Sequence, residues 1–165
     1  MATTFAAIAT KTLTSSTGLI EFTSIPQSFK HLWITGMTKS DSTRYFRMAI
    51  NGSNDSSYND AEFYGGSTGT PVQYGFRNGA YSLGVCESQN NWGGFDICIP
   101  NYANTSNFKP YLFRVNFLTF DSAGTNQGVW GGAYQEYNAA VSTLGFFYNA
   151  GTIAIGTKIT LYGLS

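Results

Sequence analysis

The stretch GFDICIPNYANTSNFKPYLFRVNFLTFD, residues 94–121, decides how the rest of the chain reads. Phe95, Ile97 and Ile99 alternate with Asp96 and Cys98, the period of a strand with one buried face. Pro100 then withdraws a ladder donor, and residues 101–107 have the Asn, Ser and Thr content of a connecting loop. In the second run Tyr111, Phe113, Val115 and Phe117 share one face. Leu112, Arg114, Asn116, Leu118 and Phe120 fall on the other, so its far half is apolar on both sides. Strands of that kind are usually covered above and below, which predicts this pair at the middle of a β-sandwich.

Working outward, strand patterns precede the pair at residues 5–13, 19–25, 29–37 and 44–51. The last alternates most clearly, with Phe46, Met48 and Ile50 inward and Tyr45, Arg47 and Asn51 outward. Residues 52–71 are loop-like, with a short strand at 61–64. Residues 72–76 and 81–87 read as a hairpin turning at Arg77-Asn78-Gly79, because Asn-Gly tolerates the positive φ of a type I′ turn. Beyond the central pair, residues 127–135, 141–148 and 158–164 complete the set. No segment sustains a helical period, and residues 136–140 hold at most one turn. Short strands with turns every eight to twelve residues predict an all-β, antiparallel β-sandwich. About ten strands suit the jelly-roll type better than a seven-stranded immunoglobulin-like domain. Without a repeat or a dividing linker, residues 1–165 form one domain, with residues 1–13 able to serve as an arm or added strand on a neighbour.

Nine Lys and Arg balance nine Asp and Glu, and charged residues make up 11% of the chain, under half the usual share of about 25%. That scarcity excludes the concentrated basic face that nucleic acid requires, and electrostatic attachment to a membrane surface. No apolar run approaches the roughly 18 residues of a spanning helix. The first lysine, Lys11, follows a small-residue stretch, the reverse of a secretory leader, so synthesis and retention in the cytoplasm are expected.

Catalytic motifs are missing from the sequence. There is no GxSxG, no phosphate-binding loop and no dinucleotide fingerprint. The single histidine, His31, sits on a predicted strand and reads as a structural residue. Cys86 and Cys98 lie on separate strands; they read as two small buried thiols, with a disulfide across neighbouring strands as the alternative. Asp55, Asn59, Asp60 and Glu62 offer oxygen ligands to calcium, but their order departs from an EF-hand loop and turn composition explains them. The expectation is a protein without catalytic residues, cofactor or metal. Aromatic rings beside glycines and amides, as in Asn90-Asn91-Trp92-Gly93 and Trp130-Gly131-Gly132, read first as plugs for the ends of the sandwich or as a subunit contact, with stacking on a sugar as the alternative. Trp92, Trp130, Tyr134, Tyr102 and Phe5 are the candidates for that role.

The runs 22–29 (FTSIPQSF), 46–52 (FRMAING), 97–102 (ICIPNY) and 159–164 (ITLYGL) resemble small virion proteins of tailed phages. The resemblance implies a jelly-roll β-sandwich serving as a capsid cement or decoration protein, or as part of a tail or fibre. Its implied partners are copies of itself, with a homotrimer suggested by the local threefold sites of capsid lattices, and the major capsid protein or other virion proteins. Its implied location is the virion, assembled in the host cytoplasm. The alternative is a tail-fibre or baseplate domain that recognises a host-surface glycan through Trp92 or Trp130.

Overall fold

A computed structural model describes residues 5–41, 44–53, 58–66, 73–78, 82–86, 92–118, 126–135 and 138–165. At residues 44, 58–66, 73–78, 82–86, 117–118, 126–130 and 133–135 that description covers the backbone only. Twelve strands are defined among these residues: β1 (Phe5–Thr12), β2 (Ile20–Phe22), β3 (His31–Thr38), β4 (Arg44–Ile50), β5 (Tyr58–Gly66), β6 (Gln73–Asn78), β7 (Ser82–Cys86), β8 (Gly93–Pro100), β9 (Lys109–Leu118), β10 (Asn126–Gln135), β11 (Leu144–Tyr148) and β12 (Lys158–Leu164). No helix occurs among the described residues.

The strands form two antiparallel sheets. One has eight strands in the order β1-β12-β3-β8-β9-β10-β5-β6, the other four in the order β2-β11-β4-β7. The β8–β9 pair stands at the centre of the larger sheet, where its alternation placed it. Phe95, Ile97, Ile99, Tyr111, Phe113 and Val115 all point inward and are buried. They meet Ile20, Phe22, Phe46, Met48, Ile50, Leu144, Phe146 and Tyr148 from the smaller sheet in one core. An aromatic cluster bridges the two layers: Phe46 lies 5.0 Å from Phe95 and 6.0 Å from Phe146 between ring centroids. Aromatic pairs at such spacings add about 0.5–1.5 kcal/mol each beyond their buried area.

Two glycines let the layers close. A Cβ on Gly36 of β3 would stand 2.7 Å from the Lys158 carbonyl and 2.9 Å from the Phe95 ring. On β12, Gly163 leaves room for Phe29, whose ring would lie 2.3 Å from an added Cβ. The end of the sandwich is held by polar groups from distant loops. Asn51, at φ 52°, donates from Nδ2 to the Ala140 carbonyl at 2.8 Å, and its Oδ1 accepts from the Ser142 and Thr143 amides. Gln27 Nε2 donates to the carbonyls of Ile25 and Val141.

Two expectations change. Residues 72–76 and 81–87 do not pair as a hairpin: β6 adds to β5 in the large sheet, and β7 adds to β4 in the small one. The Asn-Gly signal describes local turn preference, whereas the apolar layers between the sheets decide where each strand docks. The N-terminal stretch, read as able to add to a neighbour, pairs along β12 from Phe5↔Leu164 to Thr12↔Lys158. There Ile8 and Ala9 pack against the core, giving the strand apolar burial within its own chain. The outer face of β9 is open over its described half, with Leu112, Arg114 and Asn116 exposed. The residues expected to be covered on both faces, Leu118 and Phe120, have side chains outside the described set.

Candidate functional site

The outer face of the large sheet is built by the residues that alternate with the core. Their registers align one position from each of five strands into a row: Tyr162 opposite Trp33, Trp33 opposite Cys98, Cys98 opposite Leu112, and Leu112 opposite Gly132. At about 4.8 Å between strands the row spans about 19 Å. Leu112 is 63% exposed, yet the next residue along, Phe113, is 2% exposed. Gly132 completes the row because a Cβ there would stand 3.2 Å from Leu112 Cδ2. Trp33, Cys98, Leu112 and Gly131 line a depression of about 400 Å³ together with Asp96, Phe113 and Arg114.

Beside the row, Arg114 and Asp96 match each other's charge. Arg114 on β9 donates from Nε to Asp96 Oδ2 on β8 at 2.8 Å, and from Nη2 to Oδ1 at 2.5 Å. The Asp96 hydrogen bonds and charge hold the Arg114 guanidinium above its already high range. Burial, followed by the Asp96 carboxylate, raises the Cys98 thiol above its ordinary 9.0, so it stays protonated at neutral pH. Cys98 is a free thiol, and β7, which carries Cys86, belongs to the other sheet. The disulfide alternative is therefore set aside. Cys98 is also only half-buried, not enclosed as expected, because it faces outward between Trp33 and Leu112.

A second depression, of about 510 Å³, opens on the same face near the start of β12. Trp92, Met37, Lys158, Thr35 and Thr160 surround it, with Gly36 and Gly156. Trp92 is 40% exposed, and its ring lies over Gly156, where a Cβ would be 3.2 Å from Cη2. Gly156 also has φ +86°, a conformation that a side chain would strain.

The five aromatic candidates separate. Trp92 and Phe5 reach the outer face, and Phe5 stacks on Tyr162 with ring centroids 4.6 Å apart. Tyr102 does not belong with them: it is fully buried, and its hydroxyl donates to the Pro26 carbonyl. Asn101 at φ 52° turns the chain so that the ring enters the end of the sandwich, and the Val141 amide donates to the Tyr102 carbonyl at 2.9 Å. Trp130 and Tyr134 lie on β10 opposite Arg114 and Pro110, and their side chains are outside the described set. Trp33, Leu112, Met37 and Lys158 are the face residues that the motif reading missed. Their signal was an apolar or cationic residue at the outward position of an otherwise alternating strand.

His31 has a structural role, its Nδ1 accepting from the Asn101 amide at 3.2 Å. Lys109 is buried, with Nζ donating to the Asn107 carbonyl at 2.7 Å, and burial pushes its ammonium below the ordinary lysine range. Of the calcium alternative, Asp55 and the side chains of Asn59, Asp60 and Glu62 lie outside the described set. Among the described residues no three His, Cys, Asp or Glu side chains gather into a metal site. No protein-family model matches the chain, and no curated protein matches it.

Proposed function

We propose that this chain is a non-enzymatic structural subunit that works by being covered: a capsid cement or decoration protein of a tailed-phage particle, with a jelly-roll-type sandwich. The observation that supports the assembly role is the row Tyr162, Trp33, Cys98 and Leu112 on the outer face of the large sheet. Contact cores are poor in charge and rich in aromatics, and the ion pair beside the row, Arg114 with Asp96, is satisfied within the chain. A partner surface therefore has no unmatched charge to desolvate along the row. The phage assignment is supported by the short sequence resemblances, and the assembly role by the geometry. The self-partnership is proposed as a homotrimer seated on the shell.

Quantitative mass spectrometry of purified particles tests this reading. The expected result is one copy of this chain per few shell subunits, with copy number collapsing when Leu112 is replaced by Asp in a chain that still folds. Particles carrying only a few copies, or full incorporation of the Leu112→Asp chain, would overturn it.

A further inference from the structure

We propose that the depression beneath Trp92 binds an acidic saccharide, a pyranoside carrying a carboxylate. Pyranose rings present apolar C–H faces and hydroxyl rims, so their sites combine an exposed aromatic plate with small polar groups at its margin. Trp92 supplies the plate. Its ring is seated on Gly156, so the plate is positioned before any ligand arrives and little side-chain freedom is left to lose. Thr35 and Thr160 supply hydroxyls at the margin, and each hydroxyl both donates and accepts. Thr160 Oγ1 is already oriented by Thr10 Oγ1 at 3.0 Å and retains capacity for a second partner.

Charge selects the class of sugar. Among the described residues Lys158 is the one ionic residue lining the depression, and it makes no ion pair there. A lysine lining the same depression as an aromatic plate, with no carboxylate among the described residues answering it, complements a ligand that brings its own negative charge. The position is also separate from the row proposed for assembly. Lys158 and Met37 stand four residues along their strands from Tyr162 and Trp33, about 13 Å away at roughly 3.3 Å per residue.

Saturation-transfer NMR on the purified full chain tests the site, with 3′-sialyllactose and a glucuronate-containing tetrasaccharide against lactose and cellotetraose. The acidic sugars are expected to receive saturation at ring C–H protons and the neutral ones much less. Trp92→Ala should weaken binding about tenfold or more, as for an aromatic anchor, and Trp92→Phe should keep measurable binding. Lys158→Gln should reduce the preference for acidic over neutral sugars by up to about fivefold, the range of an exposed ion pair, and Lys158→Arg should retain it. Lys158 is exposed, so its variants keep the test decisive should Trp92→Ala fail to fold. No transfer to either acidic sugar, equal transfer to acidic and neutral sugars, or an unchanged preference in Lys158→Gln would overturn the proposal. So would displacement of the depression's signals only by a second copy of the chain.

Discussion

The two faces of β8 and β9 share a backbone and differ in what covers them. Inward, Phe95, Ile97, Phe113 and Val115 meet a second sheet and are shut away from water. Outward, Cys98 and Leu112 continue an almost equally apolar row that no element among the described residues covers. Apolar side chains on the inner face are explained by folding, because each large one contributes about 1.5–3 kcal/mol when buried. The outer row gains little of that from the isolated chain, so its chemistry calls for a different explanation. A surface meant for water would carry Lys, Glu or Thr at those positions, as the neighbouring Thr10 and Thr35 do.

Substitutions on the two faces should separate these roles. Phe46→Ala, at the junction of the aromatic cluster, should lower stability by about 3–5 kcal/mol in urea unfolding. A loss under 1 kcal/mol would mean that the sheets do not meet as described. Gly36→Ala should cost about 1–3 kcal/mol by the same measurement, because the added methyl meets a carbonyl and the Phe95 ring. On the outer face, Leu112→Ser should change stability by no more than about 0.5 kcal/mol. The same variant should reduce association measured by sedimentation, and a stability loss like that of Phe46→Ala would erase the distinction between faces.

The smallest effect concerns Asp96. Asp96→Asn removes an ion pair to the solvent-exposed Arg114 guanidinium, which water screens, and should barely move the unfolding midpoint. It should nevertheless speed alkylation of Cys98 by iodoacetamide at pH 8. Burial and then the Asp96 carboxylate raise this thiol, so removing the carboxylate enlarges its thiolate fraction. The sign for stability follows from the same shift. Above pH 9.0 the unfolded chain releases a proton that the folded chain keeps, so any contribution from this thiol is present below that pH and lost as pH rises through the folded value. An alkylation rate that does not change in Asp96→Asn would remove Asp96 as a cause.

Much of the fold was legible because alternation is a local signal. The inward sets of β4, β8, β9 and β12 follow directly from residues spaced two apart. What alternation cannot specify is which sheet a strand joins, and that is where the 77–79 turn misled. Its two flanking strands each have apolar positions suited to an interior, yet they dock on opposite layers. The candidate site was legible in pieces. Trp33, Leu112 and Tyr162 each occupy the outward position of an alternating strand, but only the register shows that they stand side by side. Tyr102 was misread for the opposite reason. An aromatic ring between Asn101 and Ala103 looks like a loop side chain, and the positive φ that turns it inward is a conformation asparagine tolerates without declaring it.

The order of strands in the large sheet also bears on when its outer face comes into being. β8, β9 and β10 are successive along the chain and adjacent in space, whereas β3 joins β8 across a long intervening segment and β12 joins β3 across a longer one. Closing long loops costs entropy before contacts return it, so the expectation is an early central meander and a late-zipping flank. Tyr162 and Trp33 belong to the late half, Cys98 and Leu112 to the early one. The row is therefore complete only in a finished molecule, and a partner that needs all four side chains would pass over half-folded copies without any separate proofreading step. Pulse-labelling exchange during refolding, with protection appearing on β9 before β12, is the signature to look for.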